Sequence, residues 1–187
     1  VYEKLGQAKP VQLRDQEISP ENLVEHFIMR NEFVRQRMPA SGEDGVESVR
    51  LMSVLDVAGI SIADITTDVL KFLRISGQVV DTHYPDLVVR LVICNAPSWF
   101  WTIWGMIAQV LPESTRNSII IMGDAQGLDQ YIDPTQRPVE YGGTDVPLGQ
   151  APEFVQFCEI ARDWERQGYE MFLTVAESQH QSRRRRS

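Results

Sequence analysis

Cysteine and histidine are scarce in this sequence. Its 187 residues include two cysteines and three histidines. Cys94 lies in a strand-like pattern and Cys158 in a helix-like one, and their spacing fits neither a disulfide framework nor a zinc site. The histidines are scattered over separate elements, so a metal site would need distant segments to converge. We therefore expect two buried, reduced thiols in a cytosolic protein, with no metal and no other cofactor.

Motifs that carry catalysis are also missing. The sequence contains no Gly-x-Ser-x-Gly elbow, no Walker loop, no Gly-x-Gly-x-x-Gly fingerprint after a strand and no His-Glu-x-x-His pair. Asp56 follows a strand pattern, where α/β enzymes often place an acid, but the adjacent Ala58 and Gly59 are also typical of an ordinary turn. We expect that the protein is not an enzyme.

Positive charge is in short supply. Lysine and arginine total 18 against 26 aspartate and glutamate residues, a formal net charge of −8. Four of the arginines form the run 183–186, so the rest of the chain carries −12. Such a surface repels nucleic-acid phosphates, which predicts no nucleic-acid partner except through the tail. The polar tail, residues 177–187, is predicted to be disordered, either as a solvated linker or as a segment that docks on anionic lipid.

No hydrophobic run is long enough to cross a bilayer. The longest apolar segment has about 14 residues, whereas a spanning helix needs ~20. The first residues have neither the basic region nor the apolar core of a secretory signal peptide. They include no initiator methionine and open in what resembles a strand, so we interpret the chain as a fragment of a longer protein.

That apolar segment dominates the sequence. The pattern predicts a helix over residues 98–111, with Ser98 as its N-cap and Pro112 ending it. A narrow stripe of polar or small residues interrupts it: Thr102, Gly105 and Gln109. Such a helix has more apolar surface than one contact with a core requires. The alternatives are full burial as the central helix of an α/β layer, contact with a partner surface, or contact with lipid.

Strand-like and helix-like segments alternate along the chain. Strands are predicted over residues 1–5, 46–57, 87–94 and 119–122. Helices are predicted over residues 22–38, from the turn after Ser61 to about residue 83, and over 98–111, 113–117, 127–132 and 153–168. This alternation predicts an α/β fold built from βαβ crossovers around a largely parallel sheet.

Ser53 stands out within the second strand pattern. It shares one side of the strand with Val49, Leu51 and Leu55. A hydroxyl among aliphatic side chains needs a hydrogen-bond partner, which is either a backbone carbonyl or a ligand.

Several short motifs occur in an order and spacing that are specific as a set. They are Tyr84-Pro85-Asp86, Leu-Val-Ile-Cys-Asn-Ala-Pro over 91–97, Ile-Ile-Ile-Met-Gly over 119–123 and Arg-Pro-Val-Glu-Tyr-Gly-Gly over 137–143, together with Val1-Tyr2 and Asp56-x-x-Gly59-Ile60-Ser61. The set resembles the CRAL-TRIO lipid-binding domain family over roughly residues 1–143. The resemblance implies an α/β fold with a mixed, mostly parallel sheet, which forms the floor of an apolar lipid pocket closed by a mobile gate helix.

The resemblance also implies particular site residues. Hydroxyls that contact phosphatidylcholine in a yeast transfer protein of that family fall on Tyr2, Ser53 and Tyr84, and the phosphoinositol-headgroup positions fall on Asp86 and Thr115. The family's gate helix falls on the apolar segment, with these residues: Trp99, Phe100, Trp101, Ile103, Trp104, Ile107 and Leu111.

Three positions depart from that family member. Leu51 replaces a serine, Arg30 replaces a tyrosine, and Ser118 replaces a phosphate-binding lysine. Loss of the lysine removes a charged contact worth ~1.5–3 kcal/mol, for which the neighbouring Arg116 could compensate. The lipid is therefore left open between phosphatidylcholine, phosphatidylinositol and another apolar lipid.

The function implied is that of a non-enzymatic carrier, which binds one lipid in an internal cavity and transfers or presents it at membranes. The alternative is an interaction module that carries no lipid and recruits a larger signalling or trafficking protein. The expected partners are a lipid ligand and a transient membrane surface, and the expected location is cytoplasmic with peripheral membrane association.

The expected organisation has three parts. Residues 1–143 form the lipid-binding domain without its N-terminal helical part, residues 144–176 form a linker and an amphipathic helix, and residues 177–187 form the Arg-rich tail. Further flanking domains are expected outside this chain.

Overall fold

A four-stranded sheet organises the part of the chain that the structure describes. The computed structural model describes residues 1–8, 18–38, 50–84 and 87–167. The strands are β1 (Tyr2–Glu3), β2 (Leu51–Asp56), β3 (Val88–Cys94) and β4 (Ile119–Ile121), and they lie side by side in that order. Every neighbouring pair is parallel within these residues. The predicted α/β fold with a mostly parallel sheet is therefore confirmed, while residues 46–49 of the second predicted strand lie outside the described ranges.

Within the described residues, five α-helices accompany the sheet. They are α1 (Pro20–Arg35), α2 (Thr67–His83), α3 (Phe100–Val110), α4 (Glu113–Ser118) and α5 (Pro152–Gln167). Short 3-10 turns connect them: Leu5–Gln7, Ile62–Asp64, Gln126–Gln130, Pro134–Gln136, Val139–Tyr141 and Leu148–Gln150. Among the described residues, no helix combines the length and the apolar character needed to cross a membrane.

Side-chain caps fix where the first two helices begin. The Ser19 hydroxyl accepts a hydrogen bond from the Asn22 amide at 3.2 Å, and the Asn22 side chain accepts one from the Ser19 amide at 3.0 Å. Thr66 caps α2 by accepting from the Val69 amide at 3.3 Å. The helix α2 therefore begins at Thr67, later than predicted, because the residues after Ser61 form a separate 3-10 turn.

The prediction that Ser98 caps the apolar helix is wrong. The helix α3 begins at Phe100, Trp99 holds the N-cap position, and no side chain caps it. The Phe100 amide instead donates to the Pro97 carbonyl at 2.8 Å, because residues 98 and 99 form a turn rather than a first helical turn.

The two faces of the sheet have different neighbours. On one face Val54, Val92 and Cys94 are fully buried under Leu128 and Tyr141 from the segment after β4. On the other face, the side chains that alternate with them point towards α2 and α3, where Ile93 packs with Val57, Phe100 and Ile107. Ser53 and Leu55 belong to this second face.

The helix α1 does not have a single buried stripe. Leu23, Phe27, Val34 and Met38 are only half-buried, whereas Val24, Met29, Asn31 and Phe33 are buried. The reason is that α1 packs on two sides. Its Phe27 ring meets Phe72 of α2 edge-on at 6.2 Å, and its Phe33 ring meets Phe157 of α5 at 5.2 Å.

Candidate functional site

A cavity of about 390 Å³ lies between the sheet, α1, α2 and α4. Its volume falls within the ~300–1,000 Å³ typical of small-molecule sites. The wall contributed by the helices is largely apolar and includes Phe27, Phe72, Leu73 and Val80. The sheet closes the floor with Ser53, Leu55, Val88 and Leu91. The helices therefore do not pack fully against the second face of the sheet, and a mostly apolar cavity remains between them.

A buried arginine lies in the cavity wall. The Nη1 atom of Arg30 forms an ion pair with the Glu3 carboxylate, and Nη2 donates to Asn31 Oδ1 at 2.9 Å. Its guanidinium carbon lies 4.8 Å from the centre of the Phe27 ring. Burial lowers the pKa of Arg30 to about 10, which still leaves the guanidinium charged at neutral pH.

Tyr84 is already engaged within the protein. Its hydroxyl donates to Glu32 Oε1 at 2.7 Å, and Arg35 donates to Glu32 Oε2 through Nη2 at 2.8 Å and Nε at 3.2 Å. Burial, followed by the hydrogen bond to Glu32, raises the pKa of Tyr84. Tyr84 therefore presents its ring to the cavity and uses its hydroxyl to tie the end of α2 to α1.

The structure brings three of the five predicted lipid-contacting residues together. Ser53, Tyr84 and Thr115 all line the cavity, and Ser53 is buried with 6% of its surface exposed. Asp86 lies outside the described residues. Whether the three cavity residues contact a lipid stays a prediction.

Tyr2 lies on the opposite face of the sheet. Tyr2 pairs with Val54 and therefore lies on the same side of the sheet as Val54. The pleat directs Val54 and its neighbour Ser53 to opposite sides. Its ring stacks on Tyr141 with centroids 5.1 Å apart. Tyr2 thus belongs to the core on the far side of the sheet and does not reach this cavity, contrary to the role given to it by the resemblance.

The predicted gate helix packs beside the cavity. Phe100 and Ile107 are buried against the sheet face, and Trp99, Ile103 and Trp104 are half-buried in the same cluster. Trp101 points outward with 51% of its surface exposed. Leu111, which follows the helix, is the member of the predicted gate set that lines the cavity within the described part of the chain. Opening of α3 stays a prediction.

The sequence assigned no ligand contact to several polar lining residues, although Arg30 was identified as replacing a tyrosine of the family member. Arg30 and Asn31 lie three and four positions after Phe27 on α1, and Ser76 lies four positions after Phe72 on α2. Residues three or four positions apart share one face of a helix. Placing the two phenylalanines in the cavity wall therefore also predicts Arg30, Asn31 and Ser76 there. The ion pair of Arg30 with Glu3 had no such local signal.

Asp56 serves a turn rather than a reactive site. Its Oδ1 accepts from the Ala58 amide and from Asn95 Nδ2, both at 2.9 Å, and its Oδ2 accepts from the Tyr141 hydroxyl at 3.1 Å. The carboxylate thereby joins the ends of β2 and β3 to the segment after β4. In the part of the chain that the structure describes, no group of three or more histidine, cysteine or acidic residues could hold a metal ion.

Comparison with known proteins gives consistent family and fold relationships. The sequence model of the CRAL/TRIO domain matches residues 4–143. A CRAL-TRIO domain-containing protein of Saccharomyces cerevisiae is 30% identical over 128 residues, which are 67% of this chain and 40% of that protein. The SEC14 cytosolic factor of Kluyveromyces lactis is 29% identical over 127 residues, which are 66% of this chain and 42% of that protein.

A solved structure has a similar fold. The crystal structure of Sfh5 superposes with a TM-score of 0.63 at 20% sequence identity, covering 77% of this chain and 48% of the other. In the curated relatives the matched region is likewise less than half of the protein. The likeness to Sfh5 establishes the fold.

Proposed function

Because the chain belongs to the CRAL/TRIO domain family, we propose that it encloses one hydrophobic lipid molecule and transfers or presents it at membranes. The observation that carries the proposal is the cavity of about 390 Å³ with largely apolar walls. An acyl chain placed there would lose contact with water, a change worth about 25 cal/mol per Å² of apolar surface. The lipid-binding and lipid-transfer character of CRAL/TRIO proteins supports the same assignment.

Polar contacts to the lipid come from Ser53 and Thr115. Both line the cavity, Ser53 from the floor and Thr115 from α4 at its edge. Each hydroxyl can donate and accept, so it suits the ester and phosphate oxygens of a lipid headgroup. Tyr84 contributes its ring, because its hydroxyl is held by Glu32.

Exchange at a membrane involves α3. Trp101 and Met106 leave 51% and 46% of their surface exposed. Helical spacing puts them on either side of the stripe formed by Thr102, Gly105 and Gln109, so the outer side of α3 is a partly apolar patch, while its other side is buried. Tryptophan favours the membrane interface because its ring is apolar and its N–H can stay hydrated. Contact of this patch with lipid would favour a state in which α3 moves away from the sheet and Leu111 away from the cavity.

We place the protein in the cytoplasm with transient membrane contact, as the name of the SEC14 cytosolic factor suggests for that relative.

Loading with lipid tests the cavity directly. The substitution Ser53→Trp fills the space from the floor and should abolish loading from mixed phospholipid and fatty-acid vesicles, measured as bound lipid per chain by native mass spectrometry. Val89→Trp is the matched control, since Val89 is 40% exposed and outside the cavity lining. Should Ser53→Trp fail to fold by circular dichroism, Thr115→Trp blocks the same space from its edge.

The outcomes separate the two functional hypotheses. Normal loading of a folded Ser53→Trp protein would contradict the placement of lipid in this cavity. A wild-type protein that never loads would contradict the carrier and favour the recruitment module.

The membrane step has its own test. Trp101→Asp combined with Met106→Asp should lower vesicle association and lipid exchange. Thr102→Asp, at an exposed position on the same helix, controls for the added negative charge. Equal exchange by all three proteins would show that the patch does not meet the membrane.

A further inference from the structure

Two buried hydrogen-bond donors in the cavity wall have no partner among the described residues. They are Nε of Arg30 on α1 and Oγ of Ser76 on α2. Both residues line the same cavity, and their helices pack directly through Phe27 and Phe72. Buried polar atoms in native proteins are nearly always hydrogen-bonded, so two such atoms on residues that line one cavity favour a partner that enters it.

The chemistry of these donors defines the partner. A guanidinium only donates, and a serine hydroxyl can donate to the same acceptor. A group that satisfies both must offer at least two oxygen lone pairs, and a negative charge strengthens its bond to arginine. A terminal carboxylate or phosphate meets these requirements, whereas a choline ammonium would face a positive charge without an acceptor.

Two carboxylates also line the cavity and limit where an anion can lie. Glu3 pairs with Nη1 of Arg30, and Asp81 accepts a hydrogen bond from Ser114 at the exposed edge. The Glu3 side chain is 26% exposed, against 16% for Arg30. An anion at the Nε edge of Arg30 therefore approaches the arginine on a side that Glu3 does not use. Where the anion and the Glu3 carboxylate compete for Arg30, the Glu3 side chain can turn towards water.

Cavity size limits the apolar part of the ligand. About 390 Å³ lies at the lower end of the ~300–1,000 Å³ range of small-molecule sites, and we take this as favouring one hydrocarbon chain over two. The walls beyond Arg30 are apolar, with Phe72, Leu55 and Leu91 among them. A ligand with a charged end and one chain matches both parts of the cavity.

We propose that the cavity selects a single-chain amphiphile with a terminal oxyanion, whose oxygens accept hydrogen bonds from Arg30 Nε and Ser76 Oγ. The inference rests on the proposed lipid carrier and names its ligand class. A long-chain fatty acid and a lysophosphatidate share this chemistry, and the experiment separates them.

The experiment compares ligands with one chain and different ends. Oleate, oleyl alcohol, oleoyl lysophosphatidate and oleoyl lysophosphatidylcholine are titrated below their micelle concentrations by displacement of a fluorescent fatty acid, or directly by calorimetry. Wild-type protein should bind oleate, lysophosphatidate or both at least about tenfold more tightly than oleyl alcohol, the size expected for hydrogen bonds to a charged group. The tighter of the two acids identifies the headgroup.

Substitutions identify the residues that cause the preference for an acid over an alcohol. Arg30→Met should lower the affinity for the acid much more than the affinity for the alcohol, so that the preference is lost, and Ser76→Ala should reduce the preference severalfold. Arg74→Met is the matched control, because Arg74 lies on α2 at an exposed position outside the cavity lining. If Arg30→Met does not fold, Ser76→Ala and the wild-type ligand series decide the question.

The failures are distinguishable. Equal binding of the acid and the alcohol, or tighter binding of lysophosphatidylcholine, would overturn the oxyanion assignment and leave the carrier standing. An acid preference that survives Arg30→Met and Ser76→Ala would also overturn it. Absence of binding by every probe, together with failure to load from vesicles, would overturn the carrier as well.

Discussion

Gly77 in the middle of α2 makes the packing around the cavity testable. A Cβ added there would lie 2.6 Å from Cδ and 3.3 Å from Cγ of Pro112, the residue between α3 and α4. The proline ring is bonded to its own backbone and cannot rotate away. Overpacking of this kind costs ~1–3 kcal/mol. Alanine is favoured over glycine in helices by ~0.8–1.0 kcal/mol, so Gly77→Ala should lower the free energy of unfolding by ~0–2 kcal/mol.

Gly105 in α3 supplies the matched control. An added Cβ there has no atom within 4 Å. Gly105→Ala should therefore raise the free energy of unfolding by ~0.5–1 kcal/mol, the usual gain from replacing a helical glycine. Urea denaturation followed by circular dichroism measures both, and the difference between the variants should be ~1–3 kcal/mol, or roughly 2–4 °C in Tm for each kcal/mol. Equal stabilisation by the two substitutions would refute the close contact of α2 with Pro112.

Three further predictions concern the core and its hydrogen bonds. Leu128 is 0% exposed, so Leu128→Ala should lower the free energy of unfolding by ~2–5 kcal/mol in urea denaturation. Burial raises the pKa of Cys94 to about 12, so iodoacetamide at pH 8 should modify the half-buried Cys158 and spare Cys94 in the native state, as read by peptide mass spectrometry. The native state favours the protonated thiol of Cys94 over the thiolate. The contribution of this thiol to the free energy of unfolding is therefore complete below the pKa of about 8.5 that a cysteine has in the unfolded chain, and it is lost as pH rises towards 12. Tyr84→Phe removes the bond to Glu32 and should lower the free energy of unfolding by about 1 kcal/mol, reduced from the usual value for a charged partner because Glu32 is partly exposed.

Each of these predictions has a control within the chain. Ile62→Ala, at a side chain 59% exposed, should change stability little compared with Leu128→Ala. Tyr131→Phe, at 39% exposure, controls for loss of a tyrosine hydroxyl. Rapid native alkylation of Cys94 would contradict its burial under Leu128 and Tyr141, and unchanged stability of Tyr84→Phe would show that the bond to Glu32 contributes nothing.

The sequence predicted the elements that repeat a local pattern. The strand β3 is an apolar run interrupted by Arg90 alone, and α1 begins at a serine followed by proline, so both follow from rules that span a few residues. The side of β2 that carries Ser53 also followed from alternation, and the structure places it in the cavity floor. The start of α3 did not follow, because a backbone turn at Pro97 replaced the side-chain cap.

Contacts between distant residues explain the rest. Tyr2 was given a ligand role because its neighbours match the family, but its side is set by its register with Val54, which lies 52 positions along the chain. Arg30 of α1 forms an ion pair with Glu3 of β1, and no spacing of residues along α1 predicts that pair. Likewise, the buried face of α1 depends on α5, which packs on Phe33 from the far end of the chain.

The carrier function is best tested by native mass spectrometry of the purified protein, followed by analysis of its organic extract. We expect one lipid molecule per chain, with a species carrying an acidic end and a single chain enriched over the lipids of the host cell. A protein that is purified empty and stays empty after incubation with mixed phospholipid and fatty-acid vesicles would contradict the carrier function.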